Sequence, residues 1–311
     1  MKIRIGTRGS KLALWQAHHI RDRLLATGRV SEVELTIIKT TGDRIQDVAL
    51  AAVGGKGLFT KEIEEALIDG VVDVGVHSMK DMPALLPDGL GLLSVPERAD
   101  PRDAFVARLG SRLRGIGDLP LGAVVGTSSL RRSAQLLFAR PDLQIVPLRG
   151  NVDTRLRKLD AAEGGLEAIL LACAGLARLG WGERITAPIA IETMLPAVGQ
   201  GALALEARVD DAQTAEIVAL LDDARAHVAT DAERAFMARL EGNCQVPVAG
   251  HATIDADEAT LTVRGLVADP LGIKRVSAVI QGPLADARAL GVALAERLLA
   301  DGAGALLAAG A

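Results

Sequence analysis

The chain has 311 residues, a formal net charge of -4, 49% hydrophobic residues and only 2% aromatic ones, with Tyr absent. That length exceeds what one hydrophobic core usually serves, so two or three domains are expected, with cores built from Ala, Leu, Val and Ile. The net charge excludes a general attraction to nucleic acid or to an anionic membrane, so any anion site must be a local feature.

KIRIGT opens the chain as a short strand. The start MKIRIGTRGS carries charge and no apolar core, so no secretion signal is expected. Ser10 stands where a helix cap would, before KLALWQAHHIRDRLLATG, and that helix should end at Gly28. VELTIIKT then reads as an apolar strand, and the β-α-β start predicts a mostly parallel sheet covered by helices. Residues 41–57, TGDRIQDVALAAVGGKG, read as a long mobile loop. LFTKEIEEALIDG is an amphipathic helix, VVDVGVHSMKD a strand ending in polar residues, and GLGLLSVPE another strand. DPRDAF looks like a crossing into a second α/β unit. There AVVGTSSLRRSAQLLFAR, PDLQIVPLRGNVDTRLRKLD and LEAILLACAGLARLG repeat the order strand, turn, helix. PIAIETMLPAVGQGALALEAR leads back toward the first unit. From about residue 218 the pattern becomes α+β, with a helix ending in ERAFMARLEGN, a small antiparallel sheet and a final Ala/Leu-rich helix. No run approaches the ~18–20 uncharged apolar residues of a membrane span. Cys173 and Cys244 are the two cysteines and make neither a disulfide scaffold nor a metal-ligand spacing. A reduced, cytoplasmic protein is expected.

In open α/β sheets ligands collect beyond the C-terminal ends of strands. Polar clusters fall there: Arg8 and Ser10 after the first strand, Ser78, Lys80 and Asp81 after VVDVGV, Thr127, Ser128, Ser129, Arg131 and Arg132 after AVVG, and Arg149, Asn151, Arg155, Arg157 and Lys158 after QIVPL. Residues 127–160 hold seven Arg/Lys against three Asp. Hydroxyls and free N–H groups at helix starts favour anions, and arginine adds planar, bidentate binding of carboxylates. Surface ion pairs explain any one of these arginines equally well; five clusters at strand ends point to a ligand with many carboxylates. Asp81 either caps a turn or, among so many cations, pairs with a cationic intermediate and moves protons. His18 and His19 read as surface or packing residues, His77 as facing either the site or the sheet, and His227 and His251 lack metal spacing. GGKG at 54–57 is no P-loop and suits a flexible lid with Lys56 at its tip. Cys244, in the loop LEGNCQVPVAG, is either a small packing residue or an attachment point.

These motifs are similar to those of the porphobilinogen deaminase (hydroxymethylbilane synthase) family along nearly the whole chain: RIGTRGSKLALWQA, GGKGLFTKEIE, DVGVHSMKDMP, DPRDAF, VGTSSLRRSAQL, LRGNVDTRLRKL, LACAGLARLG, LPAVGQGALA and LEGNCQVPVAG. The resemblance implies two lobes like those of type 2 periplasmic binding proteins plus a small α+β C-terminal domain. It divides the chain into domain 1 (1–99 plus 198–217), domain 2 (100–197) and domain 3 (218–311). It implies a transferase that condenses four porphobilinogen molecules head to tail, each losing ammonia, into linear hydroxymethylbilane. A dipyrromethane cofactor is expected as a thioether on Cys244, priming the chain. Asp81 is the implied catalytic carboxylate, with Lys80 beside it. Arg8, Ser10, Ser78, Lys80, Thr127, Ser129, Arg131, Arg132, Arg149, Arg155 and Arg178 are the implied anion-binding positions, and Gln200 lines the cleft. A monomer with hand-over of product to uroporphyrinogen-III synthase is also implied.

The chain departs from the family's usual residues in small ways. Asn243 precedes the cysteine where glycine is common, and Ala52 stands where some members have lysine. Asp153 occupies a usual glycine position, where its charge is expected to tune the patch around Arg149 and Arg155. The main rival reading is a non-catalytic polycarboxylate-binding module, which leaves Asp81 and Cys244 without a role. A nucleic-acid binder fits less well, because aromatics for stacking are nearly absent.

Overall fold

The structure, a computed structural model, describes residues 1–44, 57–240 and 247–309. Cys244, Asn243, Lys56, Ala52 and most of the loop expected at 41–57 lie outside the described residues.

One five-stranded sheet, ordered β2-β1-β3-β10-β4, is built from β1 (Lys2–Thr7), β2 (Glu32–Ile37), β3 (Val74–Ser78), β4 (Leu90–Ser94) and a late strand β10 (Leu203–Arg208). Helix α1 (Lys11–Ala26) starts where the hydroxyl of Ser10 accepts the amide of Ala13 and so satisfies one free N–H of the first turn. Its Ala17, Ile20 and Leu24 recur at helical spacing and bury against Ile3, Ile5, Val74 and Val76 of the sheet. On the opposite face, helix α2 (Lys61–Ile68) buries Ile63 and Leu67.

A second five-stranded sheet, ordered β7-β6-β8-β5-β9, uses β5 (Asp103–Ala107), β6 (Val124–Gly126), β7 (Gln144–Val146), β8 (Leu166–Ala172) and β9 (Ala187–Pro188). Its helices are α3 (Leu130–Ala139), α4 (Val152–Asp160) and α5 (Cys173–Arg178), each opening just past a strand end. Two core clusters fill its two faces, one around Phe105 and Leu136, the other around Leu159, Ile169 and Leu176.

Each sheet is mostly parallel, as expected, with one of its five strands running against the other four. In the first, β1 runs parallel to β2 and β3, whereas β10 is antiparallel to both β3 and β4. In the second, β6 runs parallel to β7 and β8, whereas β5 is antiparallel to β8 and β9. The odd strands are the two that follow a crossing between lobes. A strand that enters from the other lobe begins at the C-terminal ends of its neighbours, so it must run against them. The β-α-β grammar reads only the local strands and misses this.

Beyond α6 (Ala212–Ala219), helix α7 (Ala224–Arg239) packs with the antiparallel sheet β11 (Val248–Ile254), β12 (Thr260–Ala268) and β13 (Arg275–Pro283), and with α8 (Ala287–Leu298). Phe236 is fully buried at its centre, in the space that Gly250 and Gly265 leave open; a Cβ on either would come within 3.0 or 2.8 Å of the ring. Burial of such a side chain stabilises by about 1.5–3 kcal/mol. No described helix is long and apolar enough to cross a membrane.

Candidate active site

Strand β3 runs out of the first lobe and ends in one tight turn, Met79–Asp81. Met79 is buried and its amide donates to the carbonyl of Ala202 at 3.1 Å, which ties the turn to the start of β10. Gly199 has φ +69°, and a Cβ there would lie 2.6 Å from the Met79 side chain, so this approach requires glycine. Lys80 and Asp81 are thereby held at the strand end, Lys80 half-buried and Asp81 exposed.

Lys80 reaches toward Gln200, with Nζ 3.4 Å from Oε1. Gln200 is 1% exposed, and its Nε2 donates to the Pro101 carbonyl at 2.7 Å and to Oδ1 of Asp103 at 3.0 Å. Asp103 is wholly buried. Arg131 grips both of its oxygens, at 2.7 and 3.0 Å, and Arg132 adds Nε at 2.8 Å. Arg131 also donates to the Leu195 carbonyl and Arg132 to that of Leu170. Burial works against the Asp103 charge, but Arg131 and Arg132 overcome it and hold this carboxyl well below its usual range. One carboxylate thus faces two guanidiniums and the Lys80 ammonium. Lys80 is pushed down to about 8, first by burial and then by Arg132.

From α4, Arg155 joins the same positive field. It is pushed down to about 10 by burial, then by Arg132 and Arg149, with Asp81 acting in the opposite sense. Its Nε donates to the Gly150 carbonyl at 2.8 Å. Arg178, also pushed down to about 10 by burial, donates to the Gly201 carbonyl at 2.7 Å and stands 5.9 Å from the centre of the Trp15 ring. Lys80, Asp81, Arg132, Arg149, Arg155 and Gln200 therefore share one region between the lobes.

The other sequence candidates have local partners. Arg8 pairs with Asp43 at 3.2 Å and lies over the Phe59 ring, 4.1 Å from its centre. Ser10 and Ser129 cap α1 and α3, and Thr127 accepts the amide of Ser129 at 3.2 Å. Ser78 accepts from Gln16 Nε2 at 2.7 Å. His77 turns to the sheet, 3.0 Å from Glu206. Asp153 meets Lys11 of the first lobe at 3.0 Å, across the cleft.

Two buried acids, Asp103 and Glu233, are not among the sequence candidates. Asp103 lies in the segment that crosses between the lobes, although an acid that begins a strand of otherwise apolar residues needs a buried cation. Glu233 sits on α7 among Ala229, Ala232 and Phe236, an acid on the apolar face. It accepts from Arg98 at 2.7 and 3.1 Å, from the Gly199 amide at 2.7 Å, from the Ala252 amide at 2.8 Å and lies 3.2 Å from His251. Burial opposes its charge, and Arg98 and His251 together bring it down to about 2. Arg98 in turn donates to the Gln200 carbonyl at 2.9 Å, so the C-terminal domain is fastened to the segment that carries Gln200.

Known proteins resemble the chain along most of its length. Residues 3–216 match the family profile described as porphobilinogen deaminase, dipyromethane cofactor binding domain, and residues 228–300 match porphobilinogen deaminase, C-terminal domain. The chain is 54% identical over 307 residues to the porphobilinogen deaminase of Syntrophotalea carbinolica, covering 99% of this chain and 95% of that one. It is 50% identical to those of Geobacter metallireducens and Geobacter sulfurreducens, covering 99% of this chain and 94% of each.

Proposed function

The chain belongs to the porphobilinogen deaminase family, and on that premise we propose how its own residues carry the reaction. The enzyme condenses four porphobilinogen molecules head to tail, with loss of ammonia from each, to give hydroxymethylbilane. Its cofactor is a dipyrromethane. The residues between the lobes suit that group: Arg132, Arg149, Arg155 and Lys80 crowd one another with one exposed carboxylate, Asp81, in their midst. Burial and then Arg132 push both Lys80 and Arg155 down, and the acetate and propionate arms of pyrroles are the anions such a cluster suits. That like-charge crowding is the observation that carries this reading. When bound, the dipyrromethane supplies the pyrrole carbon to which substrate is joined.

Arg132, Arg149 and Arg155 hold substrate and chain carboxylates, and Lys80 adds charge beside Gln200. Asp81, exposed at the end of β3, accepts the pyrrole N–H of the incoming substrate. Its carboxylate stabilises the positive charge that develops as ammonia leaves. It then takes part in removal of the proton from the new bond. Arg131 acts through Asp103, whose position it fixes. Cys244 is the proposed thioether attachment, and the division 1–99 plus 198–217, 100–197 and 218–311 the proposed domain boundaries. A cytoplasmic monomer that passes its product to uroporphyrinogen-III synthase completes the proposal.

Intact mass under denaturing conditions tests it. We expect an adduct of dipyrromethane size that disappears in Cys244→Ala. An unmodified and fully active protein would sink the cofactor assignment.

A further inference from the structure

The region between the lobes also holds an ion pair that the chemistry above does not use. Lys11 is the first residue of α1, in the first lobe; Asp153 lies in the first turn of α4, in the second. Nζ and Oδ2 are 3.0 Å apart, across 142 residues of sequence. The contact is at the solvent edge of the cleft, with the two side chains 69% and 37% exposed. Oδ1 of Asp153 accepts the Thr154 amide at 3.0 Å, so the carboxylate is fixed on its own helix, where the dipole favours it. Lys11 has no such support. A cation in the first turn of a helix is opposed by the dipole, so its placement depends on the partner across the cleft. The carboxyl of Asp153 is held below its usual range, first by Lys11. Arg149, Arg155 and Arg157 stand close in sequence on the same lobe, yet the salt bridge that Asp153 makes is with the other lobe.

We propose that Lys11 and Asp153 form a latch between the lobes. The pair closes when the two helix starts approach and opens when the cleft widens around a longer chain. This rests on the family reading, because a growing pyrrole chain is what would part the lobes. The rest of the contact between α1 and the second lobe is of a different kind. Leu12 packs 3.9 Å from the Cβ position of Gly175, and Arg178 stands over Trp15. Those contacts depend less on salt, whereas the exposed ion pair, 3.0 Å long, weakens as the Debye length falls from about 8–10 Å at ordinary ionic strength to about 3 Å at 1 M salt. The latch therefore makes lobe opening the salt-sensitive part of the cycle.

An exposed pair of this kind shifts an opening equilibrium by about two- to five-fold. Amide hydrogen exchange in α1 and α5 of the purified, cofactor-loaded enzyme reads that equilibrium without assaying turnover. Lys11→Gln and Asp153→Asn should each speed exchange there by about two- to five-fold. The double variant should go no further than either alone, and Lys11→Arg should keep the wild-type rate. High salt should bring wild-type exchange to the level of the variants. Unchanged exchange in both single variants, or an additive double variant, overturns the latch. The set of chain lengths held on the enzyme, read by intact mass after limited substrate, then tests its use. We expect the variants to shift the proportions of one-, two- and three-substrate species. Wild-type proportions alongside faster exchange would refute a role in chain growth. Absence of any bound pyrrole from the wild type would count against the family reading instead.

Discussion

Replacement of Asp103 by Asn tests the polar centre most directly. The carboxylate is wholly buried and takes two hydrogen bonds from Arg131, one from Arg132 and one from Gln200. Asparagine keeps the shape but removes the charge and turns one acceptor into a donor that faces a guanidinium. Arg131 and Arg132, 6% and 8% exposed at their side chains, are then left buried with no counter-charge. Removal of one partner from a buried pair costs about 3–5 kcal/mol. In a chain of this size that is roughly a 10 °C loss in Tm. The shift has a defined pH dependence. The folded-state pKa of Asp103 lies below its unfolded value, so its contribution is fully present above about pH 4 and fades as pH falls toward the folded value. The deficit of Asp103→Asn should hence be constant from pH 5 to 8 and shrink in acid. Urea denaturation followed by circular dichroism at several pH values measures both. A loss under about 1 kcal/mol at pH 7 would refute the claim that this carboxylate neutralises the two arginines.

Asp81→Ala should lower turnover by at least about 100-fold while circular dichroism and Tm stay near wild type, since the side chain is exposed at a strand end. Arg155→Leu should raise KM for porphobilinogen with a smaller effect on stability; a wild-type KM would remove it from the carboxylate clamp. Glu64→Gln should relieve a buried acid. Its carboxyl is pushed up by burial and then by Glu206, so its native form is favoured below the unfolded pKa and that advantage is lost as pH rises. The variant should gain stability relative to wild type between pH 5 and 8, as read from Tm.

Much of this architecture is legible in the sequence because it is written locally. Ser10 and Ser129 mark helix starts by their own hydroxyls, and β1, β3 and β6 are short strands with polar residues at or just past their ends. Lys80, Asp81 and Arg155, which the fold brings into one region, stand out in the sequence because a strand end or helix start precedes each. What escaped notice depends on pairing between distant segments. The antiparallel entry of β5 and β10 follows from two crossings between lobes, and no window of sequence contains both ends of either. Asp103 and Glu233 are acids whose meaning lies in cations 28 and 135 residues away. The arginines were legible as a group, but not their division. Composition counts Arg8 and Arg131 with Arg155, whereas the fold gives the first two a protein carboxylate each and sets Arg155 in the field of Arg132 and Arg149.

That division has a physical logic. A site for many carboxylates must hold several cations close together before any ligand arrives, and in a buried setting their repulsion would push the lobes apart. Asp103 removes part of that charge from beneath the site, where a ligand cannot compete for it. Arg132 is the residue shared between the two demands: its Nε is held by Asp103, while its remaining edge meets Gln200 at 3.5 Å and depresses Lys80 and Arg155. Gln200 joins the same centre to the C-terminal domain, since its side chain meets Lys80, Asp103 and Pro101 and its carbonyl takes Arg98, the partner of Glu233. A displacement of the C-terminal domain that moved Glu233 would therefore move Arg98 and the Gln200 backbone with it. The position of Gln200, and so the partner that Lys80 meets at the end of β3, thus depends in part on a residue of α7.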